Sequence, residues 1–330
     1  MVIIYSDKGA GWSPISHMVK LAARLLEAEL IILDHKSSSI RDKLGALILK
    51  RQRNLEGEKL LLICSSPSDL ELLFQVKNFR YRFEYIVAWV IDSFWVEHIP
   101  KAVRFSGYFD HIFITSREDI DKWRKITCTP ISWLPWASDV LGLGGVKQSR
   151  KWDLVRVGRQ PSEWDNDELT NSKCKERGIY FSGRPQFTDV TRNQEDMMSV
   201  YQQAKFILAF SNLSHTSNYT HPKRAYLTGR WVDSLACGCI VAGISPVEES
   251  VLELLWDGAT LELGSVRIND GVKVLESALS EWTHVKAEYN YQKSLKKLDW
   301  RWRFMEITNM LEISPKSLLD EIDLLNLELN

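Results

Sequence analysis

Short apolar runs alternate along the chain with longer segments whose apolar positions recur every three or four residues. In the first part of the chain, six apolar runs are typical of buried strands, and amphipathic or turn-rich segments separate them. Such alternation favours a parallel sheet covered by helices on both faces. The strands predicted there are residues 2–5, 30–33, 59–64, 85–91, 110–115 and 130–134.

The same alternation returns in the second part of the chain. The sequence therefore predicts two Rossmann-like doubly wound domains that face each other across a cleft, followed by C-terminal helices. The predicted bounds are 1–138, 139–299 and 300–330, with a glycine-containing hinge at 140–149. The strands predicted in the second domain are 153–157, 178–181, 204–210, 239–242 and 260–263. Helices are predicted up to about residue 29, at 41–53, at 246–255 and through most of the chain after 268.

Residues 226–243 predict a short helix that stops and leads into a buried strand. Thr228 suits the N-cap, where its hydroxyl accepts a backbone N–H, although a helix beginning at Pro222 is an alternative. Gly238 is a natural helix terminator. The apolar stripe of this helix consists of Trp231, Val232, Leu235 and Ala236.

The polar residues of this helix suit one kind of ligand. Arg230 and Asp233 lie three positions apart, so they share a face near the helix start. A helix N-terminus with an arginine can hold a diphosphate, and a carboxylate can accept from ribose hydroxyls. An ordinary strand–helix unit with a surface ion pair is the alternative interpretation.

Composition and charge place the chain among ordinary globular proteins. It has 330 residues, 45% of them hydrophobic, and a formal net charge of −1, so no overall basicity points to nucleic acid. Five scattered cysteines without a CxxC pair favour a reducing compartment and argue against zinc. The first residues suit a strand rather than a signal peptide, and no run reaches the roughly 18 apolar residues of a membrane span. We therefore expect a cytoplasmic protein, with peripheral membrane contact left open.

Ligands of open α/β sheets bind beyond the carboxyl ends of the strands, so the residues there are the candidates for binding. The sequence contains no GxGxxG, GxxxxGK[ST], GxSxG or HExxH motif, which argues against dehydrogenases, P-loop enzymes, serine hydrolases and zinc proteases. The strand-end candidates are Asp7, Gly9, Gly11, Ser65, Asp92, Thr115, Gly158, Arg159, Gly183, Arg184, Ser211 and Asn212.

Six segments in order give the chain a resemblance to a known family. They read VIDSFW, FDHIFITSREDIDKW, ISWLPWASD, DLVRVGR, YQQAKFILAFSN and LTGRWVDSLACGCIVAG, and they cover most of residues 1–260. Together they resemble glycosyltransferases of the GT-B class, closest to the group 1-like branch. RWVDSLACG also resembles a helix of phage DNA β-glucosyltransferases in which an arginine meets phosphate and an acid holds ribose.

The resemblance implies a nucleotide-sugar donor, a UDP- or GDP-sugar, bound without a metal. Asp233 takes the ribose place, where the family usually has Glu, and Arg230 takes the diphosphate place. Arg159 matches a phosphate-contacting arginine. The family's first acid would fall at Ala225, and this departure weakens a retaining mechanism. The predicted donor-binding set is Gly9, Gly11, Gly158, Arg159, Arg184, Ser211, Asn212, His221, Thr228, Gly229, Arg230 and Asp233.

Asp92 matches the base of some inverting members of this class. Attack on the anomeric carbon requires a group that takes the proton of the acceptor hydroxyl. A helix cap is the alternative role for Asp92. The weaker rival bases are Asp7, His17, His215 and His221.

Two other functions compete with glycosyl transfer. One is epimerisation of a nucleotide sugar, and the other is a binding protein that keeps the fold without catalysis. The expected acceptor is a glycan or glycolipid. Modified DNA is an alternative acceptor, motivated by basic residues in the first domain, namely Arg41, Lys43, Lys50, Arg51, Arg53, Lys77, Arg80 and Arg82.

Overall fold

The computed structural model describes residues 1–8, 13–33, 51–104, 107–186, 192–215 and 220–330. This part of the chain forms two compact α/β units. Unit 1 comprises Met1–Pro135 and Arg301–Asp323, and unit 2 comprises Trp136–Trp300 and Leu324–Asn330. Each unit contains one parallel sheet with helices on it, so the Rossmann-like character predicted for both halves is confirmed.

The sheet of unit 1 has six parallel strands, in which the first, Val2–Tyr5, lies between the second, Glu29–Ile32, and the third, Glu58–Cys64, and the other three follow in chain order. Its central strands, the third and the fourth, are apolar and buried over their C-terminal five residues, as expected where helices cover both faces of a sheet. The eight residues from Leu60 to Leu62 and from Ile86 to Val90 are fully buried. The strands are β1 Val2–Tyr5, β2 Glu29–Ile32, β3 Glu58–Cys64, β4 Phe83–Val90, β5 His111–Ile114 and β6 Ile131–Trp133.

The helical segments of unit 1 are short apart from the first. The first helix, Ser13–Leu25, ends four residues before the predicted end, because Glu27 adopts a left-handed conformation with φ 50°. Of the helix predicted at 41–53, residues 41–50 lie outside the described part, and Arg51–Arg53 are not helical. The others are Pro67–Gln75, Phe79–Arg82, Val96–His98, Lys101–Arg104, Arg117–Asp119 and Ile120–Ile126, of which the first, third and fifth are 3₁₀ turns.

The sheet of unit 2 has five parallel strands, in which the first, Trp152–Arg156, lies between the second, Phe181–Ser182, and the third, Ala204–Phe210, and the other two follow in chain order. The predicted strand at 204–210 is confirmed without a shift. The strand predicted at 178–181 is confined to Phe181–Ser182, because Gly178 turns the chain with φ 68°. The strands are β7 Trp152–Arg156, β8 Phe181–Ser182, β9 Ala204–Phe210, β10 Ile240–Ile244 and β11 Thr260–Glu262.

The helix of the 226–243 stretch ends as predicted. It runs from Gly229 to Ala236, and Gly238 follows with φ 71°. The Gly238 N–H donates to Leu235 O, and the Cys239 N–H donates to Ser234 O, which is the Schellman arrangement. The other helices of unit 2 are Val140–Leu143, Asp167–Lys175, Asn193–Tyr201, Glu249–Leu254, Ile268–Ser280 and His284–Leu298.

The last two helices, Trp300–Leu311 and Lys316–Glu328, belong mainly to unit 1. Arg301 and Glu321 join them through an ion pair of 2.6 Å, and Lys59 Nζ donates to Leu311 O at 2.5 Å. Leu318 and Leu325 are fully buried, so the apolar side of the C-terminal segment packs on the protein. Within the described ranges, every helix falls short of the length and apolarity needed to cross a bilayer.

Candidate functional site

In both sheets the strand order reverses beside the first strand, and such a reversal opens a crevice at the carboxyl ends of the strands. In unit 2 the reversal lies between β7 and β9, since β8 pairs with β7 on its other edge. A pocket opens at this point, with about 580 Å³ of space when its open mouth is included. Its lining includes Arg159, Gln160, Ser211, Asn212, Thr228 and Arg230.

The turn after β7 is shaped by Gly158 and Arg230. Gly158 has φ 66°, and a Cβ atom there would meet the Arg230 guanidinium at 3.4 Å. Arg230 Nη1 donates to the carbonyls of Val157 and Arg159, at 3.0 Å each. The first turn of the helix therefore holds the loop that carries Arg159, and Arg230 brings its charge to the pocket at the same time.

A buried arginine supports the same loop from below. Arg156 is 5% exposed and forms ion pairs with Asp165 and, at 2.6 Å, with Asp167. Asp165 also accepts the backbone N–H of Gln160 at 3.0 Å. The position of Gln160 in the pocket thus depends on the ion pair between Arg156 of β7 and Asp165.

Two amide side chains in the lining each have a buried oxygen that finds no partner in the described part of the chain. Gln160 Nε2 donates to Val157 O and Leu208 O, while its Oε1 has no hydrogen bond among the described residues. Asn212 Nδ2 donates to two backbone carbonyls of the following loop, and its Oδ1 is likewise without a partner in the described part of the chain. Native proteins rarely leave such atoms unsatisfied, so a donor from outside the described residues, water or a ligand, is expected at these two oxygens.

The helix Gly229–Ala236, whose N-terminus lies at the pocket, lacks a side-chain cap. Thr228 is the N-cap residue with extended backbone, as predicted, but its hydroxyl makes no cap bond. The predicted capping bond is therefore wrong, and Thr228 Oγ1 is a third buried atom without a partner in the residues described. The alternative start at Pro222 is also wrong, since the helix begins seven residues later, at Gly229. An uncapped helix start offers backbone N–H groups and partial positive charge to an anion.

Asp233 lies away from the pocket, in the interior of unit 2. It is 3% exposed, and its two oxygens accept from Ser138 Oγ at 2.6 Å and Gln194 Nε2 at 3.0 Å. A carboxylate engaged in this way stabilises the packing of the helix. Its ribose-binding role stays a prediction that this geometry does not support.

The other predicted donor-binding residues take varied positions. Ser211 lines the pocket, and so does the rival base His215. His221 Nδ1 accepts the backbone N–H groups of Lys223 and Arg224, so it organises the loop beside the pocket. The exposed Arg184 donates its backbone N–H to Asp167. Gly229 begins the helix, while Gly9 and Gly11 lie outside the described residues.

Unit 1 has a cluster of charged groups at its own reversal point, beside β1, β3 and β4. Lys8 Nζ contacts Asp69 Oδ2 at 2.8 Å, and both flank the half-buried Asp92 at the end of β4. Burial raises the pKa of Asp92 to about 7, Lys8 opposes this rise and Asp69 adds to it. The N-cap of the next helical turn is Trp95, so the role of Asp92 as a helix cap is excluded.

The basic residues of unit 1 that the structure describes serve the unit itself in several cases. Arg51 bonds Asp110 at 2.6 Å, and Arg82 bonds Glu58 at 2.6 Å. Arg53 lies 3.9 Å from the centre of the Tyr85 ring. Arg41, Lys43 and Lys50 lie outside the described residues. These contacts leave the prediction of a DNA acceptor without structural support.

The fold and the pocket define a class: an α/β protein of two Rossmann-like units, whose second unit has an anion-suited pocket at the reversal of its strand order. Among the described side chains, no group of three or more His, Cys, Asp and Glu could hold a metal ion. No protein-family model matches the chain, and no curated protein matches it with significant similarity.

Sequence reasoning missed Gln160 and Arg156. Gln160 follows the Gly158-Arg159 pair directly, so the strand-end rule could have included it. An arginine inside an apolar strand was the signal for Arg156, because a buried charge requires carboxylate partners nearby. Asp165 and Asp167 stand only 9 and 11 positions further on.

Proposed function

We propose that the protein is a glycosyltransferase that moves a sugar from a nucleotide-sugar donor to an acceptor hydroxyl. One observation carries the proposal: the pocket at the reversal point of unit 2 combines Arg159, Arg230 and an uncapped helix start. Arginine and helix N-termini are the two devices that proteins use most directly for phosphate oxygens. The resemblance to GT-B glycosyltransferases, with the acceptor side in the first domain, supports the same function.

In this proposal unit 2 holds the donor and unit 1 supplies the base. The acceptor oxygen attacks the anomeric carbon while the bond from that carbon to the phosphate oxygen breaks. Asp92 takes the proton of the acceptor hydroxyl, and a pKa of about 7 suits a general base near neutral pH. Arg159, Arg230 and the helix start neutralise the departing nucleoside diphosphate. Attack opposite the leaving group inverts the anomeric configuration.

The first experiment measures binding of UDP, GDP and their glucose conjugates by isothermal titration. We expect the protein to bind either the uridine or the guanosine nucleotides. Arg159→Ala then weakens the binding of that nucleotide about tenfold, which corresponds to the loss of one charge-assisted hydrogen bond. Arg177→Ala is the matched control, because Arg177 is a partly exposed arginine of the same unit that pairs with Glu276 outside the pocket. Absence of binding by every nucleotide tested would contradict the proposal.

A nucleotide-binding protein without transferase activity is the second candidate function. It is favoured by Asp233, which is hydrogen-bonded to Ser138 and Gln194 in the interior, whereas the glycosyltransferases that the chain resembles use an acid at this place for the donor. Asp92→Asn separates the two candidates, since it abolishes sugar transfer in an enzyme that uses this base. Nucleotide binding with no detectable transfer or donor hydrolysis by the wild-type protein would favour the second candidate.

A further inference from the structure

The amide group of Gln160 has a fixed orientation. Its Nε2 lies 2.8 Å from Val157 O and 2.9 Å from Leu208 O, and both carbonyls can only accept. The side chain is 1% exposed, so a rotated amide would set its oxygen against two carbonyls without solvent to relieve the repulsion. Gln160 therefore contributes only its acceptor oxygen to any ligand in the pocket that it lines.

Asn212, which lines the same pocket on the segment after β9, repeats this arrangement. Its Nδ2 donates to His221 O at 3.0 Å and to Arg224 O at 2.8 Å, so its orientation is also fixed. Oδ1 is buried without a partner in the described residues. Two side chains of the lining thus use their donors on backbone carbonyls, and each has an acceptor oxygen left that the described residues do not satisfy.

The ligand group that satisfies these oxygens has to donate hydrogen bonds. A diphosphate at neutral pH has oxygens and no N–H, so Gln160 and Asn212 are unsuited to it. Arg159 stands next to Gln160 in the chain and lines the same pocket, so the donating group lies close to the phosphates. In a nucleoside diphosphate the group attached directly to the phosphates is ribose, whose 2′ and 3′ hydroxyls both donate.

We propose that Gln160 and Asn212 make the pocket selective for ribonucleotides by accepting hydrogen bonds from the ribose hydroxyls. This inference rests on the proposed nucleotide-sugar function and assigns to two amides the role that the sequence predicted for Asp233. It also gives a reason for two unsatisfied oxygens in one pocket.

Isothermal titration with altered ligands tests the inference without relying on one variant. The probes are UDP and GDP, their 2′-deoxy and 3′-deoxy counterparts, and the glucose conjugate of the base that binds. We expect wild-type protein to bind at least one deoxy counterpart about three- to tenfold more weakly, the loss expected for one neutral hydrogen bond. Equal affinity for the ribo and both deoxy forms would overturn the inference while leaving nucleotide binding intact.

Gln160→Met tests whether the lost bond belongs to this side chain. If Gln160 accepts from a ribose hydroxyl, the variant binds the ribonucleotide more weakly and shows a smaller preference for it over the deoxy form. Gln202→Met is the matched control, because Gln202 Nε2 also donates to two backbone carbonyls, Leu143 O and Gly144 O, and it does not line the pocket. We expect this control to keep the wild-type preference.

Three results would overturn the assignment in distinguishable ways. Failure of every nucleotide to bind would remove both the proposed function and the inference. A Gln160 effect present only with the glucose conjugate, and absent with the nucleoside diphosphate, would place the transferred sugar at this acceptor. Loss of affinity on N-methylation of the base, with full affinity for both deoxy forms, would place the base there instead.

Discussion

If the protein transfers a sugar with Asp92 as the base, as we propose, the rate of transfer rises about tenfold between pH 6 and pH 8, because Asp92 accepts a proton only when it is ionised. Burial raises the pKa of Asp92 to about 7. A group with that pKa is about one-eleventh ionised at pH 6 and about ten-elevenths ionised at pH 8. A carboxylate with its ordinary pKa is fully ionised across this range and would give a flat profile.

The neighbours of Asp92 allow the position of this rise to be moved in both directions. Lys8 lowers the pKa of Asp92, so Lys8→Met shifts the rise in rate to higher pH. Asp69 raises the pKa of Asp92, so Asp69→Asn shifts the rise to lower pH. Opposite shifts from two residues that contact each other would identify Asp92 as the group that titrates, because a general loss of stability moves both profiles alike.

The assay follows release of nucleoside diphosphate from the donor that binds, with kcat/KM measured at each pH. This ratio reports the ionisation of the free enzyme. Asp92→Asn is the reference, with unchanged donor affinity and a low rate that does not depend on pH. A flat wild-type profile between pH 6 and pH 8, or full activity of Asp92→Asn, would refute the assignment of Asp92 as the base.

Three further outcomes follow from the buried charges. Because burial raises the pKa of Asp92, the folded wild-type protein binds an extra proton and loses stability as the pH rises from about 4 to about 7. The melting temperature of Asp92→Asn relative to that of the wild type therefore increases over this range and then stays constant. Asp233→Ala lowers the free energy of unfolding by about 2–4 kcal/mol in urea titrations, because it removes two buried hydrogen bonds to Ser138 and Gln194. The variant keeps its nucleotide affinity; a large loss of affinity would restore the ribose-binding role of Asp233. Arg156→Met lowers the free energy of unfolding by about 1–3 kcal/mol. This is below the usual cost of breaking a buried ion pair, because the carboxylate partners of Arg156 are 42% and 41% exposed. The variant also binds nucleotide more weakly, because the turn after β7 shifts; unchanged binding would show that this ion pair does not position the pocket.

Local physics accounts for what the sequence predicted well. Six of the seven residues of β9 are apolar, Lys205 being the exception, so the strand is buried between helices, and it is found where it was predicted. Gly238 ends its helix because the left-handed conformation there strains any residue with a Cβ atom. Strand ends were less certain, as at β8, because the two or three residues at a sheet edge gain little from pairing and follow the turn beside them.

The sequence by itself determined the two parallel sheets, the Gly229–Ala236 helix and the closeness of Arg230 to Asp233 on it, since these depend on periodicities of a few residues. Only the tertiary structure decided which way each side chain faces. Asp233 faces inward because Ser138 and Gln194, which are 95 and 39 positions away, both donate to it. The Gln160 side chain has only its oxygen left for further bonding because the carbonyl of Leu208, 48 positions away, accepts one of the Nε2 hydrogen bonds. Polar groups bury where partners satisfy them, and partners this distant in the chain are brought together by the packing of the whole unit.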